Sequence, residues 1–137
     1  MKAVDALKAA LEAEFAAVYL YGLIGGRASR GGKPVEITRI NASFAAHRMR
    51  RDQLLAFLGE DAPAPAVAYI PPVDPTSLKT RTACANAIEV GCEAVYAQLV
   101  AATAGSQRAF AINALSSVSA AAIGVGQTPS AFPGLTL

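Results

Sequence analysis

The sequence predicts an all-α fold: a single four-helix bundle of 137 residues with a long connection between its second and third helices. Three observations carry this. Apolar residues recur at spacings of three and four, the period of helices that each bury one stripe. Hydrophobic residues make up 53% of the chain, Ala dominates and Trp is absent, which suits closely packed helices. Five prolines, Pro63, Pro65, Pro71, Pro72 and Pro75, exclude a helix interior from the longest remaining stretch.

Helix one is expected from about Lys2 to Leu23, ended by Gly25-Gly26. Its stripe is Leu7, Leu11, Glu14, Val18 and Tyr21, and the middle residue is a carboxylate. A carboxylate in an apolar seam must be paired, hydrogen-bonded, metal-bound or protonated, because an isolated buried charge is very costly. Arg27 to Pro34 is a basic, glycine-rich loop without the Gly-Lys-Ser/Thr ending of a phosphate loop.

Helix two is expected from Val35 to Leu58. Its stripe, Ile37, Ile40, Phe44, His47, Arg51, Leu54 and Leu58, is again polar in the middle. The stripe places Arg51 in the seam, one turn from His47, and leaves Arg48 and Arg50 on a solvated face. Gly59 to Pro75 should lie along the bundle as an ordered, extended crossover, because Tyr69 and Ile70 have little use in a disordered linker.

Helix three should begin near Asp74 or Thr76 and run to Ala104. Leu78, Ala85, Ile88, Cys92, Val95 and Leu99 form its apolar face, flanked by Glu89 and Glu93. Gly105-Ser106 breaks the chain. Helix four, about Gln107 to Ile123, is rich in Ala and Ser and has no Glu, Asp or His. The tail, residues 125–137, should pack back onto the bundle and keep the whole chain, residues 1–137, one domain. With helices two and three parallel, the long link gives a ferritin-like topology.

Several function classes are excluded or disfavoured. A net charge of +2 is too small to argue for nucleic acid or an anionic membrane. No apolar run reaches the ~20 residues of a spanning helix. The charged N-terminus lacks the apolar core of a signal peptide, so a cytoplasmic protein is expected. Cys84 and Cys92, eight residues apart on one helix, lie too far apart to bridge and read as small buried hydrophobes. Ser116, Ser117 and Ser119 have no His nearby in sequence, which argues against a serine nucleophile. Tyr19 and Tyr21 read as packing residues.

The segments A-E-F-A-A-V-Y-L-Y-G, A-A-H-R-M-R-R-D-Q-L, C-E-A-V-Y-A-Q-L-V and the terminal A-F-P-G-L together resemble an actinobacterial ferritin-like domain family of unknown function. The resemblance spans nearly the whole chain. It implies a ferritin-like bundle and supplies no activity. The chain departs from that family at Phe15, where a His often follows the Glu, and at Ile123-Gly124, where Trp-Arg often stands.

Di-iron members of the ferritin-like superfamily take a Glu from each of two helices and Glu-x-x-His from each of the other two. Here Glu14, His47 and either Glu89 or Glu93 can stand for such ligands. Phe44 occupies the position three before His47, and helix four offers nothing. At most one metal could bind. Arg51 argues against even that, because a guanidinium in the seam would neutralise a carboxylate directly.

The expectation is therefore a buried polar network of Glu14, His47, Arg51 and Glu89, without metal or catalytic residues, in a protein-interaction or structural module. The alternative is an iron- or manganese-binding oxidoreductase. A homodimer is expected, because so apolar a chain has more hydrophobic surface than one small core hides; the sequence does not identify its interface, for which helix one is the favoured candidate.

Overall fold

The computed structural model describes residues 1–136, and among these the protein is all-helical, with no strand. Four helices carry the fold: α1 (Ala3–Ala28), α2 (Pro34–Leu58), α3 (Leu78–Ala102) and α4 (Gly105–Gly124). A single 3₁₀ turn (Gly59–Asp61) follows α2. No helix is long and apolar enough to cross a membrane.

The helices run further than the glycine punctuation predicts. Gly22, Gly25 and Gly26 lie inside α1, which ends at Ala28. A side chain at Gly25 would come within 3.4 Å of the Ile40 methyl, and one at Gly22 would meet Phe44. The glycines thus bring α2 close to α1, and this packing offsets their poor helix propensity. α3 starts later than predicted. Ser77 caps it, accepting from the Thr80 backbone N–H while the Thr80 hydroxyl accepts from the Ser77 N–H. Between α3 and α4 only Thr103 and Ala104 intervene. Gly105, at φ +56, makes the turn possible because that conformation strains any residue with a Cβ.

Hydrogen bonds between helices fix their directions. Glu14 meets Tyr96 while Tyr21 meets Glu89, so α1 and α3 are antiparallel. Glu36 meets Arg81 while His47 meets Glu89, so α2 and α3 run parallel. The link between them must therefore return along a helix of 25 residues, about 37 Å at 1.5 Å per residue. Residues 62–77 can do this when extended, reaching about 50 Å. Tyr69 from this segment packs on Tyr19 of α1, with ring centroids 5.7 Å apart. Pro75 is fully buried, whereas Val67 and Ile70 are exposed.

The core is one continuous cluster. It includes Leu7, Leu11, Leu20 and Ile24 of α1, Ile40, Leu54 and Leu58 of α2, Ile88 and Leu99 of α3, and Val118 of α4. Cys84 and Cys92 are free thiols within it. The α1 stripe is as predicted except Val18, which is only half-buried. The α2 stripe is not. Arg50, not Arg51, turns inward, and Glu36 is buried at the start of the helix. Both arginines fit between His47 and Leu54 by helical spacing, so periodicity could not choose between them.

Candidate functional site

Halfway along the bundle, five polar side chains from three helices meet in the apolar core. Glu14 and Tyr21 come from α1, His47 from α2, and Glu89 and Tyr96 from α3, and none exceeds 2% exposure. His47 is central. Its Nδ1 lies 2.5 Å from Glu14 Oε2 and its Nε2 3.0 Å from Glu89 Oε1. Both ring nitrogens face carboxylate oxygens, and only an imidazolium can donate from both. Burial pulls the imidazole toward neutrality, but hydrogen bonds and charge from Glu14 and Glu89 outweigh it and raise the pKa above its ordinary value.

The two tyrosines close the cluster reciprocally. The Tyr96 hydroxyl donates to Glu14 Oε1 at 2.6 Å, and the Tyr21 hydroxyl donates to Glu89 Oε1 at 2.6 Å. Burial and the adjacent carboxylates push both phenols far up, so they remain neutral donors. In each helix the Tyr stands seven residues after its Glu. Because α1 and α3 are antiparallel, that shared spacing lets each helix supply the acceptor for the other's hydroxyl.

Arg50 breaks this symmetry. Its Nε donates to Glu14 Oε1 at 2.8 Å and its Nη1 to Ser117 Oγ at 3.1 Å. Its Nη2 lies 3.1 Å from His47 Nδ1, a contact between two donors when the ring is protonated. Glu14 thus holds two cations and a phenol. Burial alone would raise its pKa, but His47, Arg50 and Tyr96 together hold it below the ordinary carboxylate value. Glu89 has no guanidinium, and its Oε2 is buried without a hydrogen-bond partner.

The predicted site residues divide accordingly. Glu14, His47 and Glu89 come together. Arg51 does not join them: it reaches Asp52 at 2.7 Å on the outer face, and Arg50 takes the place expected for it. Placing Arg50 on a solvated face was the matching error. Glu93 is buried on α3 and lines a separate groove with tail residues Gln127, Phe132 and Leu135. Gly134 lies so close to the Glu93 carbonyl that any side chain there would clash.

A second buried ion pair sits at the end of the bundle where α2 and α3 begin. Arg81 grips Glu36 with Nε at 2.5 Å and Nη2 at 3.1 Å. Each raises or lowers the other's pKa toward the charged form, chiefly through this hydrogen bond. Glu36 also lies in the first turn of α2, the favourable end for a negative charge.

Among the described residues, one donor set could hold a cation. Glu14, His47 and Cys92 bring ligand atoms within 4.8 Å of one another. Burial, reinforced by the charges of Glu14 and Glu89, drives the Cys92 thiol well up and keeps it protonated.

Comparison with known proteins follows the same architecture. The family model for a domain of unknown function (DUF4439) matches residues 6–137. Among solved structures, the chain is similar to a conserved hypothetical protein from Mycobacterium tuberculosis. The two share 25% identity at a TM-score of 0.80, over 96% of this chain and 97% of that one. No curated protein matches.

Proposed function

The chain belongs to the DUF4439 family, and we propose that it is a ferritin-like, non-catalytic interaction or structural module whose central site is a metal-free ionic cluster. The observation that carries this is the saturation of Glu14. Both of its oxygens are taken, by His47 on one side and by Arg50 and Tyr96 on the other. A metal at Glu14 would have to displace an imidazolium and sit beside a guanidinium. The ligands of a dinuclear carboxylate centre are also absent: Phe44 stands three before His47, and α4 contributes only Ser117. The residues present do not fit that centre.

A buried ionic cluster of this kind fixes which residues face one another, at a cost in desolvation. It gives α1, α2 and α3 one register through His47. The exposed Val67 and Ile70 on the connecting segment supply an apolar surface for association, including a homodimer. This surface is an alternative to α1, whose outer face is partly covered by Tyr69 packing on Tyr19.

A second reading is favoured by one observation, the approach of Glu14, His47 and Cys92. A mixed nitrogen, oxygen and thiolate set suits zinc better than the iron or manganese of an oxidoreductase. Elemental analysis of protein purified without chelator separates the two readings. The module reading expects no stoichiometric metal. A reproducible ion per chain that disappears with Glu14→Ala would replace it with the metal site. Light scattering at micromolar concentrations tests the dimer, and a 14.0 kDa monomer would reject it.

A further inference from the structure

We infer that the groove between α2 and α4 binds a small organic carboxylate with an apolar body, received by the free edge of the Arg50 guanidinium. This goes beyond the module reading and does not depend on it. α2 and α4 approach one another far less than the other neighbouring helices do. Between them lies a cavity of about 250 Å³. Ala46, Met49 and Phe110 give it apolar walls, and Arg50, Asn113 and Ser117 give it polar groups.

The count of donors identifies the ligand's charge. A guanidinium has five N–H groups. Arg50 spends one on Glu14 and one on Ser117, and its Nη2 faces a His47 nitrogen that is itself a donor. At least one N–H on each of Nη1 and Nη2 is left without a protein acceptor on a side chain only 10% exposed. No carboxylate lines the groove. Arg50 has a single carboxylate partner, Glu14, which it shares with His47, whose other nitrogen faces Glu89. A carboxylate would satisfy the guanidinium edge through paired, charge-assisted bonds.

The walls then identify the rest of the ligand. They are apolar, so a bare inorganic anion would leave them wet. The volume falls just below the ~300–1,000 Å³ of drug-sized pockets, which limits the body to a short chain or one small ring.

Titration of hexanoate into the full chain, followed by backbone amide NMR shifts, tests this. Inorganic phosphate and 1-hexanol serve as controls. The expected result is saturable hexanoate binding with Kd of about 1 mM or tighter, with 1-hexanol and phosphate each about tenfold weaker. The shifts should map to Ala46, Met49, Phe110 and Ser117. Ala46→Leu, which fills the groove without touching the ionic cluster, should abolish them. Arg50→Lys, which keeps the charge and loses the fork, should weaken hexanoate but not 1-hexanol. If Arg50→Lys fails to fold, Ala46→Leu decides. Absence of saturable hexanoate binding, equal binding of 1-hexanol or of phosphate, or shifts unaffected by Ala46→Leu would each overturn the proposal.

Discussion

Glu14 and Glu89 occupy matching places on antiparallel helices, each hydrogen-bonded to His47 and to a tyrosine from the opposite helix. They differ by one guanidinium. Glu14 has Arg50, whereas Glu89 keeps one oxygen buried and unpaired. The difference traces to the flanking helices. α2 carries both His47 and Arg50, while α4 buries only Ala111, Ala114, Val118 and Ala122, and its one ionisable side chain, Arg108, is exposed. Two near-equivalent positions thus receive unequal support, and Glu14 carries most of the cluster's charge balance.

The largest effect should come from removing that hub. Glu14→Ala strands the Arg50 cation and leaves His47 with Glu89 alone, and should cost about 3–5 kcal/mol, the range for a broken buried pair. Glu89→Ala removes the carboxylate with fewer partners and should cost about 1–3 kcal/mol. Urea denaturation of both variants tests the comparison, and equal losses would erase the asymmetry. In the presence of chelator the order should persist. A neutral or stabilising Glu14→Ala there would instead indicate crowded metal ligands.

Arg50→Ala comes next, at about 3 kcal/mol, because it leaves Glu14 with one cation and opens the groove. Arg51→Ala should stay within about ±0.5 kcal/mol, as its exposed bond to Asp52 is screened by solvent. Glu14→Leu combined with Arg50→Met should recover much of the single-site losses, since His47 retains Glu89. If Arg51→Ala proves the costlier of the two arginine variants, the assignment of the seam is wrong.

The tyrosines sharpen the same comparison at smaller scale. Tyr21→Phe deprives Glu89 of one of its two partners, and Tyr96→Phe deprives Glu14 of one of three. Tyr21→Phe should cost about 2 kcal/mol and Tyr96→Phe about 1 kcal/mol. Thermal melts of the pair would expose a reversed order.

Titration gives the mildest test. The His47 pKa is raised on folding, so its contribution is complete below about 6.5 and declines as pH rises toward the folded value. The Glu14 pKa is lowered, so its contribution is complete above about 4.5 and is lost as pH falls toward the folded value. Stability from the cluster should therefore peak between these limits. His47→Gln should flatten the alkaline side of a stability-against-pH curve, and an unchanged slope would show that another group titrates there.

Much of this architecture was legible in the sequence, and the reasons for the misses are specific. Apolar periodicity located the first three helices, the Ala- and Ser-rich run after Gly105-Ser106 located the fourth, and the carboxylate and imidazole interrupting two stripes located the centre of the site. Periodicity failed at Arg50 and Arg51 because three and four residues past His47 are both acceptable seam positions. Tyr21 and Tyr96 were hidden because a tyrosine on an apolar stripe looks like packing until its partner helix is known. The repeated interval from Glu14 to Tyr21 and from Glu89 to Tyr96 was the available signal. Gly25-Gly26 misled because Gly25 packs against Ile40 of α2, and that contact carries α1 past the pair.

The parallel arrangement of α2 and α3 has a consequence for how the molecule comes apart. The chain is two helical hairpins, and the strap of residues 62–77 is their sole covalent tie. Its tip, near Val67 and Ile70, is exposed. A protease cut there would leave every helix whole and turn an intramolecular docking into a bimolecular one, with the local concentration supplied by the strap removed. His47 on one fragment would then face Glu89 on the other. The same ionic cluster that sets register within the intact chain would become the recognition code by which two separate pieces find each other.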